Sequence, residues 1–278
     1  MGVFRLQCGQ SFLQANLTLP NPNDCTKVDR IIWFGHPTLI MLLNGRVDAF
    51  IDATFKVVPA GFYQLLVVMV KDVQTKMFVP VMYGLMTGKT KMLYFQALHF
   101  LVSATRWQFD PKRISCDYEE ALISHIANQF PSPDSGKCAP NSGCDINGCL
   151  FHLKQAWRRY MIQLGISRAQ ISIAMRRGVL DLLCVLPPDE LKSKGIHYVH
   201  SLIERLIEEE SGKPMTLKDK ATWGVFFGYI KRFWLCESKR SVWTKYRMVS
   251  GIFMYVCISI CIYTYIYIFL TCYISSLS

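Results

Sequence analysis

Three strands are predicted within residues 47–86, whose sequence is VDAFIDATFKVVPAGFYQLLVVMVKDVQTKMFVPVMYGLM. Each strand is an apolar run rich in β-branched residues, and Asp52 is an acid inside the first of them. The three runs are residues 47–57, 63–70 and 76–86. Because only short polar or Pro/Gly-containing turns separate the runs, the strands are expected to form an antiparallel meander.

Helices and strands alternate after this meander. Apolar spacing predicts helices at residues 91–104 and 118–129, with a short strand at 113–116 between them. After a loop rich in Ser, Gly, Pro and Cys, residues 149–152 are predicted as a last short strand and residues 153–164 as a helix. The order β-β-β-α-β-α-β-α is that of the RNase H-like α/β class, in which a mixed sheet carries helices on both faces.

The rest of the chain divides into a helical region and an apolar tail. Helices are predicted at residues 167–177, 188–192, 198–210 and 222–235. The expected organisation is therefore a lead-in segment, an α/β core, a basic helical region and a tail. Their bounds are residues 1–44, 45–165, 166–248 and 249–278.

The order of strands predicts that two acids meet. In an RNase H-like sheet the first and fourth strands are neighbours, so Asp52 and Asp117 should come close in space. Each acid also has an ordinary structural explanation, since Asp52 could face water and Asp117 could cap a helix. Two carboxylates a few Å apart repel unless a cation lies between them, and Mg²⁺ or Mn²⁺ binds both carboxylate and phosphate oxygens. The pair therefore predicts phosphodiester cleavage that depends on a divalent metal, for which a third acid is normally needed.

Composition and charge exclude a disordered chain and indicate an anionic partner. The 278 residues are 51% hydrophobic and 18% charged, and the net charge is +11. Residues 1–150 carry 13 Lys and Arg against 11 Asp and Glu, whereas residues 151–250 carry 18 against 9. Nucleic acid and an acidic membrane surface are the two usual partners of such a basic region.

Cysteine usage favours a reducing compartment. There are 11 cysteines, an odd number, and the first 17 residues lack the basic flank and apolar run of a signal peptide. Most thiols are therefore expected to be free.

Four blocks of sequence, in order and at matching spacing, resemble the Mutator-like (MULE) transposase domain. They are residues 52–65 (DATFKVVPAGFYQL), 79–90 (VPVMYGLMTGKT), 116–122 (CDYEEAL) and 148–156 (GCLFHLKQA). The resemblance extends from about residue 30 to about residue 235. It implies an RNase H-like DDE transposase that cleaves and transfers DNA strands in the nucleus. Its implied partners are element terminal repeats and target DNA, with a homo-oligomer as a further expectation.

Site residues are carried over from this resemblance position by position. Asp52 and Asp117 match the first two acids that hold Mg²⁺ or Mn²⁺. Cys149 and His152 match a Cys-x-x-His motif that helps to arrange DNA near the active site.

The chain departs from the family pattern after residue 235. Trp223, Phe227, Tyr229, Trp234 and Trp243 resemble the Trp-rich segment of the family, but the Asn-rich, Glu-containing motif that bears the third acid does not follow. The last acid of the chain, Glu237, does not match its position, and no zinc-containing DNA-binding module precedes the core. An incomplete or inactive copy is therefore expected.

Two weaker patterns were weighed. Cys138, Cys144, Cys149 and His152 could bind zinc, but their spacing of C-x5-C-x4-C-x2-H is wider than that of tight zinc sites, so free thiols are favoured. The basic pairs at residues 158–159 and 176–177 fit a DNA path and a solvated helix face equally well.

The apolar tail leaves two interpretations open. Residues 251–270 carry no charge and are long enough to cross a bilayer, and basic residues precede them. Their alternating Ile and Tyr is also what TA-repeat DNA encodes, which suggests a reading frame that ran on past residue 248. Two other functions thus accompany the transposase interpretation. One is a domesticated, non-catalytic DNA-binding or regulatory protein, and the other is a tail-anchored membrane protein.

Overall fold

Seven strands form one mixed sheet in the part of the chain that the structure describes. The structure is a computed structural model, which describes residues 11–55, 58–72, 74–131, 143–187 and 190–235. The strands are β1 (Leu13–Pro20), β2 (Val28–Phe34), β3 (Gly45–Thr54), β4 (Gln64–Lys71), β5 (Phe78–Met86), β6 (Phe109–Cys116) and β7 (Asp145–Gly148). Their order across the sheet is β1-β2-β5-β4-β3-β6-β7.

The centre of the sheet is the predicted meander. Strands β3, β4 and β5 pair antiparallel, and β3 pairs parallel with β6 on its other side. Strand β4 is buried along residues 64–70, because it lies between two neighbours and both of its faces are covered. The expected meander and the expected pairing of its first strand with the strand after the helix are both confirmed.

The lead-in segment, for which no strand was predicted, contributes two strands to the sheet. Strands β1 and β2 form an antiparallel hairpin, and β2 pairs with β5. In β2 the side chains of Ile31 and Trp33 are fully buried. The Trp33 ring lies so close to Gly84 on β5 that a Cβ there would be only 3.0 Å from it. A glycine at position 84 therefore makes room for the indole.

Three helices belong to the same part of the fold. The helices are the short α1 (Pro37–Ile40), α2 (Lys91–Ala104) and α3 (Glu120–Gln129). Helix α2 begins at Thr90, whose hydroxyl accepts a hydrogen bond from the Leu93 amide at 3.3 Å, and it has the predicted bounds. Its side chains Leu93, Ala97 and Leu101 are buried in the core of the sheet.

Helix α2 ends in a turn that forces a non-glycine residue into the left-handed region. The Arg106 amide donates to the Ser103 carbonyl at 2.9 Å, and the Trp107 amide donates to the Val102 carbonyl at 3.0 Å. This is the Schellman pattern, in which glycine usually occupies the left-handed position. Arg106 has φ of +53° there, which costs an L-residue free energy.

Replacing this arginine should therefore stabilise the fold. Arg106→Gly is expected to raise the free energy of unfolding by about 0.5–1 kcal/mol, measured by urea denaturation. Gly212→Ala is the matched reverse change, because Gly212 caps a helix at φ of +64° with nothing within 4 Å of an added Cβ. It should lower stability by about 1 kcal/mol, and equal effects of the two changes would contradict this account.

The chain divides into two compact units. The first contains the described residues up to Ile146, and the second begins at Asn147. This division precedes the helix that starts at residue 150, whereas the predicted boundary at residue 165 follows it. The predicted domain bounds themselves stay predictions.

The second unit is helical, as expected. Its helices are α4 (Leu150–Gln163), α5 (Arg168–Ala174), α6 (Ile196–Ser211) and α7 (Leu217–Tyr229), with shorter turns at Leu180–Cys184, Leu191–Gly195 and Ile230–Trp234. Helix α4 buries Leu153, Trp157 and Met161, which are spaced four residues apart. Helix α7 packs Trp223 against the buried rings of Phe226 and Phe227.

The strand predicted at residues 149–152 is wrong. The last strand is β7, and Cys149 is already the cap of α4, with its carbonyl accepting from the Leu153 amide at 3.1 Å. The helical spacing of Leu153, Trp157 and Met161 extends back to Cys149 and overrides the short apolar run.

Among the described residues, no helix has both the length and the apolar character needed to cross a bilayer. The predicted span at residues 251–270 lies outside the described residues.

Candidate metal centre at the ends of strands β3 and β6

The parallel pairing of β3 with β6 determines where the two predicted acids lie. Ile51 of β3 is the partner of Cys116 of β6, and Asp52 and Asp117 are the next residues on each strand. Neighbouring strands are about 4.8 Å apart, so both acids lie at one edge of the sheet, at the carboxyl ends of two adjacent parallel strands. The edge formed by Asp52 and Asp117 is called the acid edge below.

Each carboxylate is oriented by its own backbone. The Ala53 amide donates to Asp52 Oδ1 at 2.9 Å, and the Tyr118 amide donates to Asp117 Oδ1 at 2.6 Å. Both acids are half-buried, which is the exposure of a group that is held by the fold and can still reach a ligand.

A third acid, Glu119, lies two residues beyond Asp117 and caps helix α3. Its Oε2 atom is 3.4 Å from Lys89 Nζ. Glu119 and Asp117 both act on the Tyr94 hydroxyl of α2, because their negative charges help to raise its pKa. Tyr94 therefore lies close enough to the acid edge to sense the charges of Asp117 and Glu119.

A buried polar pair lies beside the acid edge. Gln64, fully buried at the start of β4, donates from Nε2 to the Gly88 carbonyl at 3.0 Å. Its side-chain amide also lies 3.2–3.3 Å from the Tyr94 hydroxyl, which is close enough for a hydrogen bond. Burial, followed by the charges of Glu119 and Asp117, raises the pKa of Tyr94 to about 12. A neutral phenol is thus locked between the sheet and α2.

No role was predicted for Gln64, which lies in the block of residues 52–65, or for Tyr94, which follows the block of residues 79–90. The sequence feature that could have revealed the contact is a glutamine at the start of an otherwise apolar strand. Burying an amide requires a partner, so such a residue predicts a polar contact inside the core.

The raised pKa of Tyr94 predicts a loss of stability in alkali. The folded pKa lies above the ordinary value near 10, so the unfolded chain loses this proton first as the pH rises. The free energy of unfolding should therefore fall between pH 10 and 12 by about 1.4 kcal/mol per pH unit from this group.

Tyr94→Phe is the control for this prediction. The variant should be less stable near pH 8, because Gln64 loses a partner, but its stability should fall less steeply between pH 10 and 12. Urea titrations at several pH values measure both slopes. Equal slopes in the two proteins would contradict the assignment.

The two carboxylates of the acid edge could bind one divalent cation, whose remaining ligands would be water or phosphate. Two carboxylates are the number that Mg²⁺ typically takes from a protein while it keeps water and binds phosphate. Across the described ranges, no group of three or more His, Cys, Asp or Glu side chains is arranged to hold a metal ion. Asp52 and Asp117 could thus contribute two ligands to such an ion.

Cys149 and His152 lie in the second unit. They occupy the cap and the first turn of α4, three residues apart, so the Cys-x-x-His spacing puts both on one face of a helix. Cys149 is half-buried with a free thiol, and the His152 ring meets the Phe151 ring edge-on at 5.4 Å. Whether they act with Asp52 and Asp117 stays a prediction.

The four residues of the weaker zinc pattern do not all belong to one described part of the chain. Cys138 lies outside the described residues, and Cys144 belongs to the first unit. Cys144 is buried, and burial raises the pKa of its thiol to about 12. Cys144 is part of the hydrophobic core of the first unit.

In comparisons with protein-family models and with curated proteins, the chain matches no family and no individual protein. Its function is therefore inferred from its own residues and their geometry.

Proposed function

We propose that the first unit is the RNase H-like core of a Mutator-like DDE transposase and that the chain is an incomplete copy of it. The reaction of such a core is metal-dependent cleavage and transfer of DNA strands at element ends. The proposal places the chain in the nucleus, with DNA as its partner.

The observation that carries the proposal is the position of Asp52 and Asp117 at the carboxyl ends of two adjacent parallel strands. The strand order β5-β4-β3-β6-β7, with an antiparallel meander next to a parallel pair, supports the RNase H-like assignment. Strands β1 and β2 extend this sheet beyond β5 and do not interrupt it.

The two acids have a defined part in this chemistry. A Mg²⁺ or Mn²⁺ ion bound there would position a DNA phosphate and stabilise the charge that develops as the phosphodiester bond breaks. Asp52 and Asp117 supply negative oxygens to hold the ion, and their backbone hydrogen bonds fix the direction of each carboxylate. The buried Gln64–Tyr94 pair keeps the ends of β4 and α2 together beside them.

The incomplete set of acids limits the activity that is expected. With only the two carboxylates of the acid edge as protein ligands, metal binding should be weak and cleavage slow. Strand nicking in Mn²⁺ is the most accessible reaction, because it needs a single cleavage event and no terminal-repeat recognition.

Nicking of supercoiled plasmid in Mn²⁺ tests the proposal. Asp52→Asn and Asp117→Asn should each abolish nicking, because either change removes half of the protein ligands. The matched control is Asp110→Asn, since Asp110 lies at the opposite end of β6 and pairs with Arg46 at 3.0 Å. That variant should nick like the unaltered chain. Nicking that persists in both acid-edge variants would contradict the site.

The second candidate is a non-catalytic DNA-binding protein derived from such an element. The specific observation that favours it is the basic charge of the second unit, since residues 147–235 carry 14 Lys and Arg against 8 Asp and Glu. This function predicts DNA binding that survives Asp52→Asn and Asp117→Asn together, and no nicking by the unaltered chain. The plasmid assay and a binding assay on the same proteins therefore separate the two candidates.

A further inference from the structure

A lysine beside the acid edge combines a fixed backbone with an exposed charge. Lys89 lies in the short segment that joins β5 to α2. The Gly88 carbonyl before it accepts from Nε2 of the buried Gln64 at 3.0 Å, and the Thr90 carbonyl after it accepts from the Tyr94 amide at 3.1 Å. Because both neighbours are held by hydrogen bonds, the Lys89 backbone is fixed between β4 and α2.

The Lys89 side chain extends to the start of the helix that follows Asp117. Its Nζ atom lies 3.4 Å from Oε2 of Glu119, the residue at which α3 begins. The Glu119 side chain makes no capping hydrogen bond to its own helix. The ammonium of Lys89 therefore lies at the same edge of the sheet as Asp117, two residues before Glu119.

Stability alone gives little reason for this ion pair. The Lys89 side chain is 49% exposed and the Glu119 side chain is 32% exposed. Pairs at such exposure typically contribute about 0–1 kcal/mol, because water screens the attraction and two long side chains lose freedom. The position of the pair at the acid edge indicates a role in binding.

The charge of Lys89 offsets a repulsion that a phosphate would meet at this edge. The negative charges of Glu119 and Asp117 both act on the Tyr94 hydroxyl, so the two carboxylates lie near the same place. Glu119 would repel a DNA phosphate that approaches a metal ion held by Asp52 and Asp117. A lysine that is already paired with Glu119 cancels much of that repulsion.

Lys89 also has hydrogen-bond donors to spare. Its ammonium carries three N–H donors on a flexible stem, and Glu119 Oε2 accepts at most one of them. The remaining donors can bind phosphate oxygens, for which lysine is a common partner. Lys89 could therefore contact a phosphate without giving up Glu119.

We infer that Lys89 contacts a phosphate of the DNA strand at the acid edge, next to the phosphate that the metal ion would hold. This inference rests on the proposed function of the first unit and names a second contact for the same strand. Phosphate contacts fix the register and direction of a nucleic acid on a protein. Two neighbouring contacts, one through the ion and one through Lys89, would thus orient the strand.

Fluorescence anisotropy of the full chain with a short labelled DNA duplex tests this inference, in Mn²⁺ and again in EDTA. Lys89→Gln should weaken binding in Mn²⁺ by about 5-fold, because a charged hydrogen bond to phosphate is lost. It should also lower the slope of log Kd against log salt by about 1. Lys89→Arg keeps the charge and the donors, so it should bind like the unaltered chain.

The matched control is Lys91→Gln. Lys91 is an exposed lysine at the first position of α2, so this change removes the same charge close to Lys89. In Mn²⁺ it should weaken binding far less than Lys89→Gln does. In EDTA no ion draws the strand to the acid edge, so the two variants should then show the same small loss. A purely structural role of Lys89 would give the same loss in both solutions.

Three results would overturn the inference. One is an equal loss of affinity in Lys89→Gln and Lys91→Gln in Mn²⁺, since only net charge would then matter. Another is a loss in Lys89→Gln that is as large in EDTA as in Mn²⁺. The third is a failure of Lys89→Arg to restore binding, with thermal unfolding showing that each variant is folded.

Failure of the proposed function gives a different result. In that case the unaltered chain binds the duplex no more tightly in Mn²⁺ than in EDTA, or Asp52→Asn and Asp117→Asn leave the gain from Mn²⁺ intact. The inference about Lys89 then falls with the proposed function. If the gain from Mn²⁺ depends on both acids but Lys89→Gln behaves like Lys91→Gln, only the inference is wrong.

Discussion

The parallel pairing of β3 with β6 is the constraint on which the fold and the candidate site of the first unit depend. It aligns Ile51 with Cys116 and so brings the residues that follow, Asp52 and Asp117, to one edge of the sheet. A parallel pair needs a long crossover, which the chain supplies through β4, β5 and α2. The hydrophobic burial of those elements therefore holds two like charges near each other.

The central strands of the first unit could be predicted because the apolar runs and the short turns between them indicate the same antiparallel meander. The runs that became β3, β4 and β5 are apolar, β-branched and separated by short turns, and Thr90 marks the start of α2. The hairpin of β1 and β2 was not predicted, although β1 carries a strand signal in its sequence. In β1 the exposed Asn16 and Thr18 alternate with half-buried Leu17 and Leu19, which is the period-2 pattern of an edge strand.

The candidate site was predictable to the extent that it follows from strand order. Asp52 and Asp117 lie near each other because β3 pairs with β6. The order of strands and helices along the sequence can indicate that pairing. The Gln64–Tyr94 pair could not be predicted, because its hydrogen bond joins residues 30 positions apart and depends on how α2 packs on the sheet. The stacking of Tyr160 on Tyr229 has the same origin, since the two rings meet only through the packing of α4 and α7. The boundary at Cys149 was missed because a four-residue apolar run does not distinguish a strand from the first turn of a helix.

Electron paramagnetic resonance of bound Mn²⁺ shows whether Asp52 and Asp117 together bind one divalent cation. One bound ion per chain is expected, lost in Asp52→Asn and in Asp117→Asn and retained in Asp110→Asn. Mg²⁺ should compete with Mn²⁺ for this ion, because both prefer carboxylate oxygens. Binding that is unchanged in both acid-edge variants, or weakened equally in all three, would contradict it.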